Sequence, residues 1–184
     1  KGNEANDAGG GRAGIVSRYG DVAGMRGDRG AGSMHFDRLC SSCHAMGGRG
    51  HAVGPDLASY RGKPVGDFVL AVLDPNAAVD ARHRTRRVEM RDGRELAGVV
   101  AGETASGFVL VQPGGVRERI ARTDMARMED MASSLMPEGF EEALTMQGMA
   151  DLAAWVREAP RGFGTATPSE AQANRERWRK EGAS

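Results

Sequence analysis

Residues 28–48 read DRGAGSMHFDRLCSSCHAMGG, and this stretch decides how the chain folds. Asp28 suits the cap of a helix, and apolar residues then recur at helical spacing until the Gly47-Gly48 pair ends the pattern. Those apolar positions are Met34, Phe36, Leu39, Cys40 and Cys43. The same stretch contains Cys40-Ser41-Ser42-Cys43-His44, a C-x-x-C-H run, which is the sequence signal for covalent attachment of a c-type haem. We therefore predict a helix that carries a haem-attachment turn.

The C-x-x-C-H spacing suits haem for a geometric reason. Two thiols three residues apart on one helical turn can each add to one of the two vinyl groups of the porphyrin. The adjacent His44 then presents one imidazole nitrogen to the iron, and its other ring nitrogen needs an acceptor that fixes the tautomer. We predict one covalent haem c, attached through Cys40 and Cys43, with His44 as an iron ligand.

Three other interpretations of this run stay open. A thioredoxin-like C-x-x-C requires a preceding strand and a parallel α/β context, which the sequence does not indicate. A zinc site requires a second pair of ligands, and the remaining histidines, His35, His51 and His83, are scattered. A chance occurrence in a soluble domain is the third interpretation. The flanking helix and the loop that follows it favour haem.

The second axial ligand of the iron is a separate question. A methionine there raises the reduction potential and suits electron transfer, whereas an open position suits ligand binding or peroxidase chemistry. Of ten methionines, Met125, Met128 and Met131 have the pattern of core filling or helix packing. Met136 lies in a constrained loop before the last predicted helix, and Pro137 biases it toward an extended conformation. Met136 is the candidate, with its neighbours as alternatives.

The composition argues against several classes of partner. Lys plus Arg and Asp plus Glu both number 25, so the formal net charge is zero. Nucleic acid or an anionic membrane surface as the main partner requires a basic excess. No apolar run approaches the roughly 20 residues that span a bilayer. Because haem c is normally attached outside the cytoplasm, we expect a periplasmic or otherwise extracytoplasmic protein, either with its leader removed or as a domain of a longer chain.

The chain divides into three predicted segments. Residues 1–27 are rich in Gly, Arg and Asp and read as a flexible lead-in with at most one short helix. Residues 28–159 form the cofactor domain. Residues 160–184 form a polar tail, mobile or loosely docked.

Helix and strand signals both occur inside the cofactor domain. Residues 68–73 form a short apolar helix face, and a last helix runs from about Thr145 to Glu158. Between them, the Asp92-Gly93 pair separates two alternating runs and predicts a hairpin with a type I′ turn. The Pro113-Gly114-Gly115 turn predicts a second hairpin. Residues from about 84 to 121 are therefore predicted to form a small β meander.

Six motifs follow one another along the chain, namely CSSCH at 40–44, VGPDL at 53–57, LDP at 73–75, DGRELAGV at 92–99, SLMPEGF at 134–140 and DLAAW at 151–155. Over residues from about 29 to 80 and from 131 to 158 the chain resembles the class I c-type cytochromes. With the motif at 92–99 included, it resembles more specifically the planctomycete-type haem-binding domain family. The resemblance implies a mainly α, class I cytochrome c fold. The antiparallel β meander is an insertion between the haem-loop helix and the axial-methionine loop.

The resemblance also implies roles for individual residues. Met136 becomes the axial partner of His44, and the Pro55 carbonyl becomes the acceptor for the Nδ1 proton of His44. Tyr60 or Arg61 is a candidate contact for a haem propionate, with a surface-loop role as the alternative. The first and last helices should cross through four core residues, namely Gly32, Phe36, Leu152 and Trp155.

The leading functional hypothesis is a non-enzymatic module that transfers one electron at a time. Its partner would be a dehydrogenase, separate or fused, or another cytochrome. The first alternative is a haem-based ligand sensor or small peroxidase with an open or displaceable sixth site. Peroxidase chemistry would require a distal residue such as His51 or His83, but the favoured interpretation of both is a solvated loop position. The second is a haem-stabilised interaction module. The β insertion should cover a haem edge, a partner surface or a second copy in a homodimer.

Overall fold

The structure, a computed structural model, describes residues 11–77 and 79–159, so the predicted tail and residues 1–10 lie outside the described residues. Within the described part, helices and 3₁₀ turns take up 39% of the residues and strands 23%. The expectation of a mainly α fold is therefore wrong, and the described chain is an α+β protein. The physical reason is that the sheet has more strands than predicted and a hydrophobic core of its own.

The described residues form four α-helices, which are α1 (Arg12–Arg18), α2 (Arg29–Leu39), α3 (Val65–Leu73) and α4 (Met146–Glu158). A short hairpin consists of β1 (Ala45–Met46) and β2 (Arg49–Gly50). The larger sheet consists of β3 (Arg86–Met90), β4 (Glu95–Glu103), β5 (Gly107–Val111), β6 (Arg117–Ala121) and β7 (Met125–Asp130). Among these described elements, no helix has both the length and the apolar character needed to cross a bilayer.

Helices α2 and α4 cross closely because a glycine faces the backbone of the other helix. A Cβ atom on Gly32 would lie 2.0 Å from the carbonyl oxygen of Asp151 and 2.8 Å from the Cβ of Trp155. The rings of Phe36 and Trp155 have centroids 4.4 Å apart, and Leu152 is fully buried beside them. The predicted crossing is confirmed between α2, the first helix of the predicted cofactor domain, and α4, the last.

A side-chain cap marks the first turn of both α2 and α4. The Asp28 carboxylate accepts a hydrogen bond from the Ala31 amide at 2.8 Å. The Thr145 hydroxyl accepts one from the Gly148 amide at 3.1 Å. One detail of the pattern is wrong, since Met34, predicted on the apolar face of α2, is 68% exposed.

Residues 11–27, predicted as part of a flexible lead-in, pack on the helical core. They form α1 and a 3₁₀ turn, Gly20–Gly24. Tyr19 and Val22 are buried in the same cluster as helices α2, α3 and α4. The Tyr19 hydroxyl also donates a hydrogen bond to the Leu144 carbonyl at 2.5 Å.

The large sheet is antiparallel, with strand order β6-β5-β4-β3-β7. Its first four strands correspond to the meander predicted over residues 84–121. The fifth, β7, returns to the free edge of β3, where Met128 lies opposite Val88. Met125 and Met128 therefore lie on a strand and pack on the core of the sheet.

The Asp92-Gly93 hairpin joins β3 and β4 as predicted, but its turn is not of type I′. Gly93 has a φ of +89°, whereas Asp92 does not have a positive φ. The Gly93 amide donates a hydrogen bond to the Met90 carbonyl at 3.0 Å. A single left-handed glycine is typical of a longer hairpin loop that closes with a bulge.

Two hydrophobic cores and a junction between them hold the described chain together. The helical core contains Phe36, Leu73, Met149, Leu152 and Trp155, among others. The sheet core consists of Val88, Met90, Phe108, Leu110 and Ile120. The junction consists of Val53, Val99 and Val111, and Cys43 and Leu135 pack against it. The attachment turn therefore lies where the sheet meets the helices.

Candidate haem site

The C-x-x-C-H turn follows directly on α2. Cys40 caps the helix, and its amide donates to the Phe36 carbonyl at 2.9 Å. The amides of Cys43 and His44 both donate to the Cys40 carbonyl, at 3.0 and 2.8 Å. This tight turn brings both cysteines and His44 to the wall of one cavity.

His44 is a buried histidine whose partner determines its tautomer. Its Nδ1 lies 2.8 Å from the Pro55 carbonyl oxygen, and the residue is 7% exposed. Because a carbonyl oxygen can only accept, Nδ1 carries the proton and Nε2 keeps its lone pair. Burial lowers the pKa of His44 and the nearby His83 lowers it further, against the effect of the Pro55 hydrogen bond. A neutral imidazole with a free Nε2 is the form that binds a metal.

The His44 ring can occupy its position only because residue 54 is a glycine. A Cβ atom on Gly54 would lie 2.6 Å from Cε1 of His44 and 3.0 Å from Nδ1. The amide of Gly54 donates to the Cys43 carbonyl at 2.7 Å, and the Val53 amide donates to the same oxygen at 2.9 Å. The glycine of the GPDL turn is thus needed for ring packing, a role that the sequence pattern did not reveal.

A cavity of about 260 Å³ lies beside the turn. That volume lies just below the roughly 300–1,000 Å³ typical of small-molecule pockets. All the site residues predicted from sequence line it, namely Cys40, Cys43, His44, Pro55 and Met136. Its apolar walls include Leu57, Phe68, Leu70, Val72, Val99 and Leu135. The cavity therefore gathers two thiols, one imidazole and one thioether in apolar surroundings.

Met136 reaches this cavity from a loop that side chains hold in place. The Met136 amide donates to Ser134 Oγ at 3.1 Å, and the Ser134 amide donates to Asn76 Oδ1 at 2.7 Å. The Nδ2 group of Asn76 donates to Glu138 at 2.5 Å. Because Asn76 follows α3 closely, it ties the methionine loop to the end of that helix.

Arg12 on α1 supports the same region from outside. Its Nε donates to the Leu73 carbonyl at 2.9 Å, and its Nη1 donates to the Glu141 carboxylate at 2.7 Å. The hydrogen bond from Arg12 is the largest cause of the lowered pKa of Glu141. No sequence signal points to Arg12, since its partners lie far along the chain.

The sheet packs directly on the attachment turn. The Gly114 amide donates to the Ser42 carbonyl at 2.7 Å. Gly115 has a φ of +74°, and a Cβ atom there would lie 2.4 Å from Nδ1 of His51. Val99 and Val111 of the sheet belong to the junction against which Cys43 packs. Three roles were considered for the β insertion: covering a haem edge, forming a partner surface and forming a homodimer. This packing favours the first, because the sheet covers the cavity on the side of Cys43.

The thiols lack the character of a disulfide-exchange pair. Burial raises the pKa of Cys40 to about 12, and Cys43 adds to the effect. Redox-active C-x-x-C pairs depend on a lowered thiol pKa, so Cys40 is not suited to that chemistry. In residues 11–77 and 79–159, no group of three or more His, Cys, Asp or Glu side chains is arranged to hold a metal ion.

The polar residues suggested as cofactor contacts separate into two groups. Tyr60 and His83 line the cavity. Arg61 donates to the Ala159 carbonyl instead, and the His51 ring lies against Gly115.

Comparison with known protein families finds no matching family model, and comparison with curated proteins finds no match.

Three observations indicate that the residues lining the cavity fit a haem. Cys40 and Cys43 both line the apolar cavity, as attachment through two thioethers requires. Gly54 lets the His44 ring lie against the loop, where the Pro55 carbonyl holds the proton on Nδ1 and leaves Nε2 as the nitrogen that can bind iron. An imidazole nitrogen and a thioether sulfur line the same cavity, and this pair is the donor set of a low-spin, electron-transferring haem iron.

Proposed function

We propose that this chain is a monohaem c-type cytochrome that transfers single electrons. The observation that carries the proposal is that Cys40, Cys43, His44 and Met136 line one apolar cavity. The resemblance to the planctomycete-type haem-binding domains supports it further. A bound haem would supply a one-electron couple between ferric and ferrous iron.

Each residue of the cavity has a defined task in this proposal. Cys40 and Cys43 would attach the cofactor through thioether sulfurs. His44 would bind the iron through Nε2, because Pro55 holds the proton at Nδ1. Met136 would supply the second axial ligand and raise the potential. The apolar walls would exclude water, which further controls the potential.

The partner in this proposal is another redox protein, either a dehydrogenase or a second cytochrome. Electron-transfer encounters of this kind use small, weak interfaces. Because covalent haem attachment normally takes place outside the cytoplasm, we propose an extracytoplasmic site of action.

The test is the spectrum of the full chain, exported in a host that attaches haem c. We expect one covalent haem, low-spin iron and the weak long-wavelength band of sulfur-to-iron charge transfer. Met136→Ala should lose that band and lower the midpoint potential. Met34→Ala is the matched control, because Met34 is 68% exposed. A colourless export product with both thiols free would refute the proposal.

A second candidate function is a haem-based ligand sensor or small peroxidase. The observation that favours it is His83, which lines the cavity and could assist a bound ligand. A high-spin absorption spectrum that changes immediately when cyanide or carbon monoxide is added would support this function over electron transfer.

A further inference from the structure

Strand β7 lies at one edge of the large sheet, and among the described residues it pairs with β3 alone. The Met131 amide donates to the Thr85 carbonyl at 2.9 Å. Hydrogen-bonded pairs alternate along an antiparallel ladder, so the backbone groups of Arg127 and Glu129 also point toward β3. The N–H and C=O of Met128, between them, point outward. An edge of this kind is a template for pairing with a further strand.

The side chains of β7 alternate between the two faces of the sheet. Met128 is half-buried and packs on the sheet core. On the other face, Arg127 is 64% exposed and Glu129 is 34% exposed, with their charged groups 2.9 Å apart. Across the ladder, Arg127 lies opposite Glu89, and Glu129 lies opposite Arg87. Each charge on this face therefore has an opposite charge beside it.

The charges of β7 are self-complementary in one antiparallel register. Pairing through the outward backbone groups can place Met128 opposite Met128 of a second copy. In that register Arg127 lies opposite Glu129 of the second copy, and the two-fold axis repeats the pair. The registers on either side place Arg127 opposite Arg127, or Glu129 opposite Glu129. Like charges directly opposite each other are destabilising, so the charges select a single register.

This register also continues two features of the single chain. The row of charges across the joined strands would read Glu89, Arg127 and, in the second copy, Glu129 and Arg87. The signs alternate along this row. On the other face, the two Met128 side chains would cover apolar surface at the end of the sheet core. The contacts of the sheet with the attachment turn come from β4, β5 and the turn between β5 and β6, so they do not involve this edge.

The opposite edge of the sheet, β6, lacks this complementarity. The Gln112 amide donates to the Val116 carbonyl at 2.9 Å. By the same alternation, the backbone groups of Arg119 point outward. Self-pairing centred on β6 would therefore place Arg119 opposite Arg119 of the second copy. Arg119 is also exposed, which makes it a matched control for Arg127.

We propose that a second copy of this chain pairs with the outer edge of β7, which joins the two large sheets into one continuous antiparallel sheet with two-fold symmetry. The paired segment is short, and interfaces of small area are weak, so the dimer forms at high protein concentration. The pairing does not involve the cofactor cavity. The inference therefore stands or falls separately from the proposed cytochrome function.

The test measures the mass of the exported full chain in solution, by sedimentation velocity from micromolar to millimolar protein. Arg127→Glu makes both charges at the pairing edge acidic, and Glu129→Arg makes both basic. Each variant alone therefore has like charges opposite each other in its own dimer. In an equimolar mixture of the two variants, every acidic position would face a basic one. Arg119→Glu is the control, and circular dichroism checks that each variant is folded.

We expect wild type and Arg119→Glu to dimerise with the same dissociation constant. Each single variant of β7 should raise that constant about tenfold or more, because like charges oppose each other. Their mixture should restore the dimer. In wild type alone, added salt should weaken the dimer, because exposed charge pairs are screened.

A wild-type chain that stays monomeric throughout would refute the inference, as would two folded β7 variants whose mixture fails to dimerise. A dimer that Arg119→Glu abolishes and Arg127→Glu leaves intact would place the interface at β6 and overturn the proposal. A wild-type dimer that is insensitive to salt would also overturn it, and that measurement requires no variant.

Discussion

The amide of Gly114 donates a 2.7 Å hydrogen bond to the carbonyl of Ser42. This bond joins the turn between β5 and β6 to the centre of the C-x-x-C-H motif. The neighbouring Gly115 lies against the His51 ring, on the loop that follows the motif. The sheet is therefore bound to the attachment turn by backbone contacts as well as by the valine junction.

Gly115→Ala should weaken the docking of the sheet. Its φ of +74° strains any L-residue, and the new methyl group would collide with His51. We expect the free energy of unfolding in urea to fall by about 1 to 3 kcal/mol. Gly62→Ala is the control, since nothing lies within 4 Å of its added Cβ. Equal stability of the two variants would contradict this account.

Gly54→Ala should disturb the ligation of iron rather than the global fold. The added Cβ would lie 2.6 Å from Cε1 of His44 and force the imidazole to move. In the haem-loaded protein we expect a mixture of spin states and a lower yield of covalent haem. Gly66→Ala, which has open space around its Cβ, should keep the wild-type spectrum. Normal low-spin iron in Gly54→Ala would show that the ring does not depend on this glycine.

Asn76→Ala should loosen the methionine loop. It removes both the acceptor for the Ser134 amide and the donor to Glu138. We expect faster binding of cyanide to the ferric protein, because the thioether of Met136 would leave the iron more often. Asn76→Asp keeps the acceptor and places a carboxylate beside Glu138, so its effect separates the two contacts. Unchanged cyanide kinetics in both variants would mean that the loop is held by other contacts.

The Arg12–Glu141 pair should make stability depend on acid pH. The pKa of Glu141 is lowered below its ordinary value of 4.5, chiefly by the hydrogen bond from Arg12. A carboxylate with a lowered folded-state pKa stabilises the protein above its unfolded pKa, and this contribution is lost as pH falls through the folded pKa. Urea unfolding at neutral pH and at acid pH measures the effect.

Arg12→Gln should cost about 1 to 2 kcal/mol at neutral pH, because the bond is charge-assisted and the two side chains are only 22% and 16% exposed. This difference from wild type should shrink in acid as Glu141 is protonated. Arg29→Gln breaks a pair whose side chains are 64% and 56% exposed, so it should cost less than about 0.5 kcal/mol. A pH-independent loss in Arg12→Gln would mean that packing, rather than the ion pair, is its main contribution.

The residues that gather at the candidate site could be predicted because their signals are local. The C-x-x-C-H spacing, the cap at Asp28 and the loop containing Pro55 involve residues close along the chain. Hydrogen bonds within such segments follow from residue type and spacing. For this reason the predicted attachment and ligand residues, Cys40, Cys43, His44, Pro55 and Met136, all line one cavity.

Only the tertiary structure decided how large the sheet is and what it touches. The pairing of β7 with β3 joins distant segments, and the contact of Gly114 with Ser42 leaves no periodic trace in the sequence. The same is true of Arg12 behind the methionine loop and of His83 at the cavity wall. Each of these positions depends on how separate cores pack together, which side-chain spacing along one segment does not encode. By itself, the sequence determined the attachment turn, the helix caps and the choice of candidate ligands.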